Sequence, residues 1–327
     1  MSETRIESLI KDRRVSVLNS RPPVLAAYDL DFERNVQAFA EFSKENSKTS
    51  ILLQLGYEHE TKELAVHLTG VISNFKEMAP KARVIVLCNS ENECKVLGEL
   101  GNEIRFIHQN CFLDERRYLP LKRKRIYDAA YIARLTPCKR HELIPKELSP
   151  RLLLMGTYVA YESEKHYSDM AHSRFPDARW ITHFNAAKIS EYLALAKCGL
   201  VLSAREGASF CSSEYFLCGL PVVDTPAIGG RSILYPEEYV EYVDSTPEAV
   251  GEGIKFWGDN PVDPNKIRKA WLEKARPHRA EYQKLMLELT GIEHAAFLHK
   301  LGIRTNHPEK IYSYAVKLYL TLRSCWG

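Results

Sequence analysis

The 327-residue sequence has no apolar run long enough to span a bilayer, so hydropathy gives no membrane-spanning helix. Its opening, MSETRIESLIKDRR, is polar and charged, without the apolar stretch of a secretion signal. None of its eight cysteines stands in a CxxC pair, which argues against a zinc site. Without a signal they read as reduced thiols, and the expected compartment is cytoplasmic. Charge of one sign is also scarce. The 45 basic and 42 acidic residues leave a formal net charge of +3, too little for a general nucleic-acid binder. No GxGxxG follows a first strand in either half, which removes the fingerprint of a nicotinamide dehydrogenase. Solenoid repeats and low-complexity tracts are absent as well.

What is present is an alternation of short apolar runs with helical patterns. Strands are expected at VLAAYDL (24–30), ILLQLGY (51–57), RVIVLC (83–88) and IRFIH (104–108), with helices at 32–42 and 61–78 and another between the third and fourth strands. Residues 1–21 read as a charged lead-in. RRYLPLKRKRIY (116–127) breaks the rhythm with a proline and a basic run. The alternation then restarts at YDAAYIA (127–133), RLLLMGTYV (151–159), RWITH (179–183), GLVLSA (199–204), LPVVDT (220–225) and a strand near Val240–Val243. A helix from Asn185 to Cys198, N-capped by Asn185, should precede Gly199. Continuous apolar strands separated by helices imply parallel sheets covered on both faces, hence two Rossmann-like βα domains in tandem. The expected division is 1–125, 126–290 and a helical tail at 291–327. The tail's apolar stripe (Ile311, Tyr314, Ala315, Leu318, Leu322) fits a closing helix packed on the body, or a membrane-surface helix.

The densest chemical signal is SAREGASFCSSEYFLCGLPVVDTPAIGG (203–230). Arg205 and Glu206 fall at the carboxyl end of a strand, where open α/β sheets bind ligands. Gly207, Ala208 and Ser209 lead into a helix with Ser209 as its N-cap, an arrangement suited to a phosphate or a sugar hydroxyl. Glu214 shares a helical face with Phe210 and Leu217, and a carboxylate on an apolar face needs a partner. A ribose diol would serve; so would a neighbouring Lys or Arg.

Glu206 and Glu214, with seven residues between them and set between a strand ending in Ser-x-x-Glu-Gly and a Gly-Leu-Pro-Val-Val strand, resemble the EX7E motif of retaining GT-B glycosyltransferases of the family-4-like group. IARLTPCKR (132–140) is similar to the loop of that group that carries an Arg and then a Lys on the donor diphosphate, here Arg134 and Lys139. The resemblance implies an α/β GT-B fold and transfer of a sugar from a nucleotide-diphosphate sugar to a glycan, lipid or small-molecule acceptor, with retention at the anomeric carbon. In that reading Glu206 acts at the donor sugar, Glu214 holds the ribose, and Arg134, Lys139 and the 207–209 backbone hold the diphosphate. His183 and Phe184 would meet the nucleobase. His59 and His108 are the candidates for a histidine reaching the donor sugar from the N-terminal domain. No metal is expected, since no DxD-like pair stands in a suitable loop, and no cofactor beyond the nucleotide-sugar co-substrate. No nucleic-acid partner is implied, and membrane association is compatible with the sequence but not indicated by it. The same signature fits a nucleotide-sugar epimerase or a catalytically inactive glycosyltransferase-like binding module. The likeness is good over 126–260 and weak in the N-terminal half, where AAYDLDFERN (26–35) lacks the usual glycine-rich loop.

Overall fold

A computed structural model describes residues 5–12, 14–156, 162–182 and 188–292. The chain forms two compact units, one of residues up to Asp114 together with those from Arg276 onward, the other Glu115–Ala275. The division thus falls before the basic run and not at 125, and the end of the region expected in the second domain returns to the first.

In the first unit, β1 (Val15–Ser20), β2 (Pro23–Tyr28), β3 (Ser50–Gln54), β4 (Arg83–Cys88) and β5 (Glu103–Phe106) form one sheet in that order. β1 runs antiparallel to β2, and the other pairs are parallel. Helices α1 (Arg5–Lys11), α2 (Asp29–Glu33), α3 (Val36–Glu45), α4 (Lys62–Met78) and α5 (Glu91–Glu99) accompany it. Because β2 to β5 step in one direction, right-handed crossovers carry α3, α4 and α5 to one face. There Leu25, Ile51, Leu53, Val84 and Val86 meet Phe32, Phe39, Leu68, Ile72 and Phe75 in a single core. Opposite them Val24, Ala26, Leu52, Ile85 and Leu87 are buried too. Two-sided burial explains why these strands are apolar throughout and do not alternate.

The second unit holds six parallel strands: β6 (Tyr127–Ile132), β7 (Leu152–Met155), β8 (Arg179–Ile181), β9 (Ala196–Val201), β10 (Val222–Asp224) and β11 (Val240–Tyr242). Their order is β11-β10-β9-β6-β7-β8. The chain moves outward from β6 to β8, then crosses back to place β9 on the other side of β6. The carboxyl ends of β6 and β9 are therefore a topological switch point, the crevice where such sheets take ligands. Connecting helices are α6 (Glu162–Arg174), α7 (Ile189–Leu193), α8 (Phe210–Leu217) and α9 (Pro247–Asp259). Pro247 opens α9 and Thr246 caps it, its hydroxyl accepting from the Ala249 amide at 3.1 Å. The 27-residue α10 (Pro264–Thr290) passes through the division between the units.

Several elements differ from expectation. The charged lead-in contains α1 and β1, an edge strand in which only Val15 and Leu18 are buried. The helix expected over 185–198 is short: α7 ends at Leu193, and β9 has begun by Ala196. The Leu195 carbonyl accepts from the amides of Ile126 and Tyr127, which draws the following residues into the sheet beside β6. The tail helix expected at 308–326, the proposed N-cap Asn185 and the end of the 151–159 strand lie outside the described residues.

Candidate functional site

The loop after β6 carries Arg134 to Arg140 and is pinned onto the neighbouring strand ends. Tyr131, at the end of β6, donates its hydroxyl proton to the Lys139 carbonyl. Arg140 sits in the left-handed region at φ 50°, a strained conformation that surrounding bonds must enforce. Its guanidinium supplies those bonds, reaching the Leu202 carbonyl (2.5 Å), the Thr225 hydroxyl (2.8 Å) and the Ser245 hydroxyl (3.1 Å). Holding Arg140 in this way fixes the direction of Lys139.

Lys139 Nζ lies 2.8 Å from Glu206 Oε1 and 3.1 Å from the Ser203 hydroxyl. Both side chains of the ion pair are mostly buried, at 12% and 19% exposure. Lys139 thus balances the charge of Glu206, and Lys139→Ala would leave that carboxylate unpaired. Arg134 is exposed, with no side-chain hydrogen bond or ion pair among the described residues. The second oxygen of Glu206, Oε2, is buried and finds no donor among them. A buried carboxylate oxygen without a partner is costly, and a ligand hydroxyl is the kind of donor that would satisfy it.

The backbone around Glu206 is held from the far side. Ile228 accepts from the Glu206 amide at 2.8 Å and donates to the Ala204 carbonyl at 3.0 Å, so the 226–230 loop extends the sheet by one bridge. Gly229, at φ 112°, makes the turn that brings this loop round. Beneath it lies Arg231, 2% exposed, which sequence reasoning passed over. It pairs with Asp224 at 2.7 Å and donates to the Ser203 and Thr225 carbonyls. One buried guanidinium thereby ties the end of β10 to the residue that contacts Lys139. The only sequence signal for it was an arginine after Gly229-Gly230.

α8 is fixed above the sheet by Tyr215. Its ring lies against Gly199, where an added Cβ would come within 2.4 Å of ring carbons, and its hydroxyl accepts from the Ile132 amide at 2.6 Å. Ser209 stands at the N-cap position but makes no side-chain cap bond; its hydroxyl lies 3.0 Å from Cys211 Sγ. Glu214 is buried and accepts from the Tyr118 hydroxyl at 3.1 Å. Arg268 fixes that contact by donating to the carbonyls of Tyr118 and Leu217. Among the described residues neither Lys nor Arg pairs with Glu214; the partner found is a tyrosine, which the sequence did not suggest.

Burial raises the Glu214 carboxyl to about 7, with the Tyr118 bond pulling the other way. The folded chain therefore binds this proton more tightly than the unfolded chain, whose carboxyl keeps the ordinary value of 4.5. Stability should fall as pH rises from the ordinary carboxylate range through neutrality, by on the order of 1–3 kcal/mol from this group. Glu214→Gln keeps an acceptor for Tyr118 and should reduce that loss. Urea unfolding at about pH 5.5 and about pH 8 reads it, and an unchanged pH dependence in the variant would contradict it.

Of the other expected residues, His183 and Phe184 lie outside the described residues. His59 and His108 belong to the first unit and are occupied there. His59 Nε2 faces Asp29 Oδ2 at 3.4 Å and its Nδ1 meets the Tyr57 carbonyl at 3.1 Å. His108, fully buried, accepts from the Asn110 amide at 3.2 Å.

No protein-family model matches this sequence, and no curated protein matches it. Solved structures do. Anabaena HepE in complex with UDP superposes with a TM-score of 0.58 at 14% identity, covering 82% of this chain and 79% of that one. Sucrose-phosphate synthase from Thermosynechococcus elongatus gives 0.58 at 15% identity, covering 92% and 74%. An α,α-trehalose-phosphate synthase (UDP-forming) from Burkholderia vietnamiensis gives 0.55 at 10%, covering 84% and 72%. At such identities the likeness is one of architecture, and the architecture of this chain is the GT-B fold, with two parallel-sheet α/β units, that these glycosyltransferases share.

Proposed function

We propose that the protein is a retaining glycosyltransferase that uses a nucleoside-diphosphate sugar, with its donor site at the carboxyl ends of β6 and β9. The observation that carries this reading is the Lys139–Glu206 pair at the switch point, with one Glu206 oxygen left for a ligand and Arg134 exposed on the same loop. A departing diphosphate gains negative charge, and fixed cations stabilise it most where water is excluded. Lys139 would exchange Glu206 for the diphosphate or bridge both, while Arg134 closes on it from solvent. Glu206 would then be free to accept sugar hydroxyls and to stabilise positive charge developing on the ring. Glu214 would hold the ribose in place of, or together with, the Tyr118 hydroxyl. The leaving diphosphate would take the acceptor's proton, which requires no metal.

The acceptor would be carried by the first unit. There residues 54–61 and 88–94, at the carboxyl ends of β3 and β4, contain no Lys or Arg, while Glu91 is exposed and Glu60 half-buried, with Glu58 and Glu93 buried beneath. A neutral hydroxyl compound suits such a surface better than a phosphorylated one. A thermal-shift screen against UDP, GDP, ADP and their common sugars tests the donor site, because a ligand that binds only the native state raises Tm. No shift with any of them would defeat the reading. Product analysis without acceptor separates transfer from epimerisation, which alone would yield an isomerised donor.

A further inference from the structure

We propose that the loop at residues 119–126 docks the protein onto membranes bearing anionic lipid. This loop lies wholly in the second unit and is independent of the donor-site reading. It has neither helix nor strand, and it is anchored at both ends: the Leu119 amide donates to the Ser190 hydroxyl at 3.0 Å and the Ile126 amide to the Leu195 carbonyl at 2.8 Å. Between those anchors Lys122, Arg123 and Lys124 are exposed and have no polar side-chain partner among the described residues. No carboxylate occurs anywhere in 116–127, although the chain as a whole is nearly balanced. Flanking the cations are three exposed aliphatic side chains, Leu119 at 43% and Leu121 at 37% before them and Ile126 at 55% after.

Cations alone would fit any polyanion, and the aliphatics decide among them. A nucleic-acid surface uses aromatic platforms beside its cations, whereas here Tyr118 is buried beneath the loop. Aliphatic tips flanking adjacent cations match the boundary between anionic headgroups and acyl chains, where each group meets the environment it prefers. No helix among the described residues is long and apolar enough to cross a membrane, so the attachment would be peripheral.

The test is flotation of the full chain with vesicles of phosphatidylcholine alone or with about one third phosphatidylserine. Binding should require the anionic lipid and weaken as salt rises. Replacing Lys122, Arg123 and Lys124 together with Ala should lower the partition coefficient by roughly a hundredfold. Leu121→Ser with Ile126→Ser should lower it about tenfold. All three cations and both aliphatics are exposed, so each variant should keep the wild-type Tm, and that is measured alongside. Equal binding to neutral vesicles, full binding by either variant, or an RNA oligomer bound with the same dependence on the three cations would overturn the proposal.

Discussion

Glu206→Gln is expected to lower kcat by on the order of a hundredfold to a thousandfold while the affinity for the bare nucleotide changes little. Gln keeps the size of the side chain and one acceptor oxygen, so binding contacts with sugar hydroxyls are largely retained. What it removes is the negative charge facing a ring that becomes positive only in the transition state, and such a loss lowers kcat and kcat/KM together. It also releases Lys139, whose 2.8 Å contact to Glu206 is then available to the diphosphate, so nucleotide affinity should not fall and has reason to rise. Full turnover in the variant would remove Glu206 from the chemistry. A parallel loss of nucleotide affinity would assign it to binding.

The second large effect concerns folding. Arg231→Leu should destabilise the protein by about 3–5 kcal/mol, the usual result of removing one partner of a buried ion pair. Asp224 would keep its buried charge with no guanidinium at 2.7 Å, and the Ser203 and Thr225 carbonyls would lose their donor. Pairing the change with Asp224→Asn should recover part of the loss, because the stranded charge disappears. Equilibrium unfolding of the two variants measures this. If Arg231→Leu costs no more than a surface substitution, the anchoring role assigned to Arg231 fails.

Much of the fold was legible because two-sided burial writes itself as continuous apolar runs: RVIVLC and the GLVL that closes and follows β9 cannot be mistaken for surface. Edges and ends were not. β1 follows a charged helix and buries only Val15 and Leu18 of its six residues, so VSVLNS carried too weak a pattern. The chain over 194–198 has helical composition, yet its pairing with β6 overrides that propensity, a contact that local sequence does not encode. α10 was missed because it is strongly charged and contains Pro277. In the site, the position of Glu206 at a strand end was local information and could be read. Its pairing with Lys139, the hold of Tyr118 on Glu214 and the burial of Arg231 join residues far apart in sequence, or set by the fold around them. They became visible only once the strands were ordered.

The most direct test of the donor site is Arg134, which is exposed and whose side chain makes no hydrogen bond or ion pair among the described residues. The diphosphate nucleotide giving the largest thermal shift would be titrated calorimetrically into wild type and Arg134→Ala. The wild type should bind, and the variant should lose about 1–3 kcal/mol of affinity, the worth of a charge-assisted hydrogen bond, with its unliganded Tm unchanged. Failure of the wild type to bind any nucleoside diphosphate, or equal affinity in the two proteins, would contradict a diphosphate site at the carboxyl ends of β6 and β9.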